Sequence, residues 1–434
     1  MIKKKTKNKI SIAESYDKKN FIHDKQAGSL IRKERIFVMM SGGVDSSVAA
    51  YLLKKSGKYE VIGAFIKGYN VDGCQEKEAE DARRVAEFLD IPFYTIDLEK
   101  EYKKRVVDYM IGGYRKGITP NPDVVCNKEI KFGLFLSKAL ELGADYVATG
   151  HYVRLASRHI SHGTGHLFAP AAKSSLDSLR VRPVYNENQA ERAYETFRSK
   201  HGGKLVSHSL FEAKDKNKDQ SYFLWTLAQE QLRHCLFPIG DYLKSEVRRI
   251  AKKAGIPVAE KKDSQGICFL GQFNVRDFLK QFLPAKKGDI VMAGGKKIGE
   301  HDGAWFYTIG QRHLGNVKWN MGHGGNSRKP LYVISKDVKK NVLIVADGET
   351  EAVLTRKEIG LVDTNFINPF SIKHFPLSIF VRGRYRQPLV PAKINKARSG
   401  YQLIFYKPQK FIANGQSAVF YDKDGQMIGG GVIK

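Results

Sequence analysis

The stretch RIFVMMSGGVDSS, residues 35–47, constrains this chain more than any other. A β-branched and apolar run passes through two glycines and an aspartate into paired serines. That reads as a strand, a tight loop and a helix start, the usual setting for a phosphate. The residues beyond it keep alternating in the same way. YEVIGAFIKG is a strand, EKEAEDARRVAEFLD a helix, IPFYTIDL a strand, NKEIKFGLFLSKALELG a long helix and ADYVATGHY a strand. From 35 to about 152 the pattern predicts an α/β fold, a doubly wound parallel sheet with helices on both faces.

The remaining texture is different. Residues 1–34 are Lys-rich without an apolar period and read as a basic disordered tail. Residues 156 to about 208 are polar, broken by Gly and Pro, and read as an insertion or long loop. That stretch holds His159, His162, His166, His201 and His208, for which a solvated loop is favoured over a metal site. Helical signals return in YFLWTLAQEQLRHCLF and LKSEVRRIAKKAG, and after about 288 short β-like runs with turns take over. The expected organisation is therefore a tail (1–34), an adenylation domain (35–274), a small β-rich linking domain (275–348) and a C-terminal β-barrel (349–434).

Charge narrows the partners. Seventy-three Lys and Arg against 45 Asp and Glu leave a net charge of +28. Such a field attracts polyanions, and a nucleic acid uses it better than a small acidic substrate does; a basic proteome or a solubility tail would raise the same count. No apolar run approaches the ~18 residues of a membrane span and no secretory signal opens the sequence. The expectation is a soluble, cytoplasmic protein without membrane contact. Four cysteines, Cys74, Cys126, Cys235 and Cys268, stand far apart with no CxxC pair, which argues against a zinc ribbon or a disulfide scaffold.

The glycine loop lacks the lysine that a Walker loop carries. Backbone N–H groups and the helix N-terminus hold an anion without it. Ser41, Ser46 and Ser47 add hydroxyls, and Asp45 either helps to place Mg²⁺ on phosphates or caps the helix. The strand–SGGVDSS–helix unit resembles the PP-loop of the ATP pyrophosphatases. In that superfamily ATP is cut between its α and β phosphates and a carbonyl oxygen is adenylated, so that nitrogen or sulfur can replace it. The cysteines narrow the choice further. TPNPDVVCNKEIKFG places Cys126 just before the expected helix with Lys128 and Lys131 nearby, a setting that favours thiolate. KKDSQGICFLG places Cys268 between glycines with Lys261 and Lys262 upstream.

These two segments, with SGGVDSS, ATGHYVR, NKDQSYFLW, FYTIGQR, GRYRQ and NGQSAVF, stand in the order found in the tRNA-specific 2-thiouridylases, which the chain resembles from about 35 to 434. The resemblance implies a HUP-like PP-loop catalytic domain, a small β-rich domain and a C-terminal β-barrel. It implies ATP-dependent 2-thiolation of the wobble uridine in tRNAs for Lys, Glu and Gln, with AMP and pyrophosphate released. Sulfur would come as persulfide from a cysteine desulfurase or a sulfur-relay protein. Carried over residue by residue, Met39, Met40, Ser41, Gly42, Gly43, Val44, Asp45 and Ser46 form the ATP loop. Ile66 (where the family has Met) and Gly150 line the adenosine. Asn121, Pro122 and Asp123 receive the flipped uridine, with Asp123 assisting proton transfer. Cys268 carries the persulfide and Cys126 attacks it, releasing sulfide or forming a Cys126–Cys268 disulfide. His151, Lys218, Asp219, Gln220, Arg384, Tyr385 and Gln416 contact tRNA. GQRHLG is one glycine short of the family's turn, which bears on His313 to Gly315. Two alternatives stay open: another PP-loop enzyme, such as a 2-thiocytidine synthase or an amide-forming ligase, and a basic RNA-binding protein with a vestigial nucleotide fold.

Overall fold

A computed structural model describes residues 21–24, 29–70, 73–160, 205–263, 274–312, 314, 317–319, 330–347, 355–368 and 375–434. The α/β part is a five-stranded sheet ordered Phe93–Asp97, Tyr59–Lys67, Glu34–Met39, Tyr146–Thr149 and Cys235–Leu236, with every pairing parallel. The side chains of the central strand alternate between two cores. Ile36 and Val38 pack with the helices Val44–Ser56, Cys74–Phe88 and Lys244–Ala254. Phe37 and Met39 pack on the other face, with the helical stretches 99–115 and 122–141. Both faces are covered, as a parallel sheet requires.

This strand order fixes the site. The first strand lies between the second and the one at Tyr146–Thr149, so the strand order reverses beside it and a crevice opens at the C-terminal edge there. Met39 with its loop and Thr149 with Gly150 end at that crevice.

After the helix Val275–Lys280 a five-stranded sheet follows, ordered Lys318–Trp319, Lys297–His301, Gly288–Met292, Val342–Asp347 and Leu331–Asp337. The last unit is a closed six-stranded barrel of Thr355–Phe366, Tyr401–Lys410, Val390–Lys396, Leu377–Arg382, Ser417–Tyr421 and Met427–Ile433. Ile359, Val381, Ile394, Leu403, Phe405 and Phe420 fill it.

Three expectations need correction. Within the stretch read as a disordered tail, Phe21–Asp24 and Ser29–Arg32 pair as a short antiparallel hairpin, and Arg32 forms a 2.9 Å ion pair with Asp145. Four-residue strands are too short to show a period. Within the stretch read as an insertion, both ends are strand: Val153–Ile160 pairs with Leu205–Glu212 in unbroken register to Ile160↔Leu205. Val153 and Leu210 anchor the ribbon in the core while Ala156 to Arg158 are exposed, and residues 161–204, including His162, His166 and His201, lie outside the described residues. Finally, the helix expected over 222–237 is a 3₁₀ turn at Ser221–Phe223, one α-turn at Gln229–Leu232 and the edge strand Cys235–Leu236. Tyr222, Leu224, Trp225, Leu227 and Leu232 are all buried, on several sides rather than along one stripe.

Candidate active site

The loop after the central strand has the geometry of an anion cradle. Gly42 adopts φ +69°, and a Cβ there would lie 2.3 Å from the Glu78 carbonyl oxygen. Only glycine fits. Gly43 caps the helix Val44–Ser56 without a side-chain bond to the first-turn amides, so the positive helix end stays open to a ligand. Ser46 shapes the loop: its Oγ accepts from the Ser41 N–H at 3.1 Å and donates to the Gly43 carbonyl at 3.2 Å. Ser47 Oγ donates to the same carbonyl at 2.8 Å. On the other side of the crevice, a Cβ on Gly150 would lie 2.6 Å from the Ser46 nitrogen. Met39, Met40, Val44 and Ile66 are buried beneath, leaving Ser41, Gly43 and Asp45 as the open rim.

The cations missing from the loop sequence arrive from far along the chain. Lys244 Nζ holds both Asp45 carboxylate oxygens at 2.8 and 2.9 Å and also reaches Asp263 at 2.8 Å. The Tyr152 hydroxyl donates to Asp45 at 2.8 Å, and burial, then the Asp45 charge, pushes its pKa up. Asp263 further accepts from Lys218 at 2.7 Å and Arg248 at 2.6 Å. Burial would raise the Asp263 carboxyl, but Lys218 and Lys244 outweigh it and hold it well below the usual carboxylate range. Lys261 donates to the Gly42 carbonyl at 3.1 Å and to Asp81 at 2.7 Å. Sequence reading singled out neither Tyr152, Lys244, Arg248 nor Asp263, and nothing local could have done so: Lys244 and Asp45 lie 199 positions apart.

Asn121 caps the next helical segment, its Oδ1 accepting from the Val124 N–H at 3.3 Å, with Pro122 in the first position. The helical path runs unbroken from Pro122 to Glu141, and Cys126–Phe135 is wound in wider, i→i+5 turns. Cys126 therefore lies one turn inside the helix rather than just before it. The Asn-Pro pair is the cap that the expected start at Asn127 overlooked. Cys126 is fully buried, while Asp123, three residues earlier and so on the same face, is half-buried. Since a helix leading into a parallel strand runs antiparallel to it, this N-terminal turn lies at the C-terminal edge of the sheet, where the loop also opens. Lys131, further along this helix, reaches the residue after Gly150, with Nζ 3.5 Å from His151 Nε2. An ammonium only donates, so Nε2 accepts and Nδ1 carries the proton toward Thr149 Oγ1 at 2.7 Å. Burial, then the Lys131 charge, holds His151 neutral with its pKa well below the ordinary value. Cys268 and residues 264–273 lie outside the described residues, as do His313 and Gly315.

The residues expected to contact tRNA divide into two groups. His151 and Asp219 are buried. Asp219 Oδ2 receives the Arg382 guanidinium at 2.6 Å and the Ser221 hydroxyl at 2.8 Å. Gln220 Oε1 accepts from the Tyr152 N–H at 2.9 Å. Lys218 is partly exposed beside Asp263. Across the domain boundary the Tyr385 ring packs against Phe223, tilted by 47° with centroids 4.5 Å apart, and Arg384 donates to the Ile309 carbonyl at 3.3 Å. Gln416 Nε2 donates to the carbonyls of Thr119 and Pro120 at 3.0 and 3.2 Å. Barrel, small sheet and α/β unit thus meet around the 119–123 turn. Among the described residues, no three His, Cys, Asp or Glu side chains cluster to hold a metal, and no helix is long and apolar enough to cross a membrane.

Comparison with known proteins gives a consistent result across the chain. Three family models match in succession: a tRNA methyl transferase HUP domain over 34–177 and 185–272, a tRNA methyl transferase PRC-barrel domain over 276–347, and an aminomethyltransferase beta-barrel domain over 356–433. The chain is 40% identical over 408 residues to the tRNA-specific 2-thiouridylase MnmA of Streptococcus thermophilus, covering 92% of this chain and 95% of the relative. It is 41% identical over 410 residues to the enzyme of that name from Streptococcus mutans, with the same coverage. Among solved structures, the U34-tRNA thiolase NcsA from Methanococcus maripaludis aligns over 58% of this chain and 68% of its own at 15% identity, with a TM-score of 0.31.

Proposed function

The chain belongs to the tRNA-specific 2-thiouridylase family, and from that premise we propose how its residues divide the work of replacing a uridine oxygen by sulfur. It is a PP-loop enzyme that uses ATP to thiolate tRNA uridine. The observation that supports the finer reading best is that the open helix end at Gly43 and the Asn121–Cys126 turn lie at the same edge of one sheet.

In our reading the loop amides from Gly42 to Ser46 take the leaving pyrophosphate, with Lys244 and Lys261 beside them. A Mg²⁺ arriving with the nucleotide would be held at the rim by Asp45 in place of Lys244, which takes both carboxylate oxygens here, and would neutralise phosphate charge. The wobble uridine, position 34, leaves the anticodon stack for the Asn121–Asp123 turn, at a cost of a few kcal/mol that is smallest in a single-stranded loop. Its C2 oxygen attacks the α-phosphorus of ATP, the bond to the β-phosphate breaks, and Asp123 accepts the N3 proton. The terminal sulfur of a persulfide on Cys268 then adds at C2 and AMP leaves. Cys126 breaks the S–S bond by attacking the Cys268 sulfur, either before sulfur reaches the base or after. Both orders leave a Cys126–Cys268 disulfide for an external thiol to reduce. Cys268 follows Asp263 by five residues, a contour of about 18 Å, and Asp263 is tied to Asp45 through Lys244. A cysteine desulfurase or sulfur-relay protein would load the persulfide. We assign the tRNA contacts to Lys218, Arg384 and Tyr385, and give His151, Asp219 and Gln220 the structural bonds described above.

The test is mass spectrometry of the wobble base after incubation with ATP, Mg²⁺, a persulfide donor and tRNA for Lys, Glu or Gln. 2-Thiouridine should accumulate, with one AMP and one pyrophosphate per modified base, and both Cys126→Ala and Cys268→Ala should abolish it. An unmodified base with the wild-type enzyme would refute the reading.

A further inference from the structure

From the contacts around the 119–123 turn we infer that Gln416 is a positioning residue for the target base, so that the C-terminal barrel is a structural part of the base pocket. The inference rests on the reading that Asn121–Asp123 receives the uridine. A carboxamide nitrogen carries two hydrogens. Those of Gln416 serve the Thr119 and Pro120 carbonyls, at 3.0 and 3.2 Å. That use inside the protein competes with any use on RNA.

Three further contacts make the same junction. The Thr119 N–H donates to the Asn414 carbonyl at 2.9 Å. Gly415 has φ +90°, and a Cβ there would stand 2.8 Å from the Thr119 oxygen, so the two backbones approach as closely as glycine permits. The Tyr222 hydroxyl donates to the Ser417 carbonyl at 2.9 Å and also meets the Asn121 side chain. The 414–417 turn is itself fixed to the barrel, since Gly415 N–H donates to the Ile433 carbonyl and Ile433 N–H to the Gln416 carbonyl, each at 2.8 Å. A rigid path therefore runs from the barrel strand through Gln416 to the two peptides preceding Asn121, the residue that caps the Asp123–Cys126 helix turn. Loss of the carboxamide frees those peptides, and a displacement near 1 Å at a reacting base costs about 10²-fold in rate.

The experiment measures single-turnover 2-thiouridine formation at saturating tRNA, and tRNA affinity across a salt series, for wild type, Gln416→Ala and Gln416→Lys. Positioning predicts that Gln416→Ala lowers the saturated rate by about tenfold or more while tRNA Kd moves less than about twofold. Gln416→Lys keeps donors over both carbonyls and should recover the rate to within about threefold of wild type at an unchanged salt slope. Weaker tRNA binding in Gln416→Ala with the saturated rate intact overturns the inference. So does a lysine variant that binds tighter with a salt slope steeper by about one, the sign of a phosphate contact. So does no change in either variant. Should Gln416→Ala melt early, the lysine variant decides on the same criteria. A wild type that leaves uridine unmodified overturns the underlying reading, and the inference with it.

Discussion

One methyl group at Gly42 would test the loop directly. Left-handed backbone costs an L-residue about 1–2 kcal/mol, and the added carbon would also meet the Glu78 carbonyl oxygen at 2.3 Å. Gly42→Ala should therefore lower the melting temperature by several degrees and weaken ATP binding by about tenfold or more, read by thermal melting and calorimetric titration; a variant with normal affinity would mean the loop conformation is not what holds phosphate. His151 supplies the pH dependence. Its native pKa lies well below 6.5 because of burial and the Lys131 charge. The unfolded chain takes up this proton near pH 6.5 and the folded chain does not. The contribution to stability is thus complete above that pH and declines below it, by up to about 1.4 kcal/mol per pH unit. Urea melts at pH 7.5 and 5.5 should show wild type losing ground to His151→Gln on acidification, and an unchanged difference would contradict the buried neutral imidazole. At this scale the loop was legible in sequence, because glycine and serine spacing reports local backbone. The cluster of Lys244, Asp263 and Arg248 was not, since tertiary folding alone joins it to Asp45.

Among the elements, the parallel sheet and its covering helices were readable because strand runs and amphipathic runs differ in period. Three features escaped for physical reasons. The helix at Asn121 begins with a cap and a proline, and its first turn is too short to show a period. The apolar residues of 222–227 run through successive three-residue turns, and a tertiary partner serves two of their carbonyls: the Asn365 side chain donates to those of Trp225 and Leu227 at 2.7 and 3.2 Å. The third is the ribbon Val153–Ile160/Leu205–Glu212, whose strands pair across 44 intervening residues that no local pattern bridges. Because Ile160 and Leu205 are register partners, residues 161–204 can be replaced by a two-residue Asn-Gly turn without disturbing the pairing. The shortened enzyme should keep its melting temperature within about 2 °C and its thiolation rate within about twofold. A loss of tRNA affinity on deletion would instead give the segment a binding role.

At the scale of the whole molecule the barrel is fastened to the α/β unit by a buried ionic group. Arg382 meets Glu212 at 2.8 Å and Asp219 at 2.6 Å, with all three side chains at most 8% exposed. Tyr421 lies under the guanidinium at 5.4 Å and shares a 2.9 Å hydrogen bond with Ser221. Removing the cation leaves the buried Asp219 without a counter-charge and Glu212 with Lys216 alone, so Arg382→Leu should cost about 3–5 kcal/mol. Differential scanning calorimetry should then show the single transition broadened or split, and a melt identical to wild type would mean that the domains hold together by other contacts. The sheet's edge has a different consequence, one in time. Val147 pairs with Cys235, so the open side of strand Tyr146–Thr149 waits for its neighbour through 88 residues of synthesis, about 4–18 s at roughly 5–20 residues per second. Residues 161–204 make up half of that interval. Lengthening the ribbon at its tip leaves the finished enzyme's register untouched, but it doubles how long a nascent chain presents an unpaired apolar edge to the crowded cell.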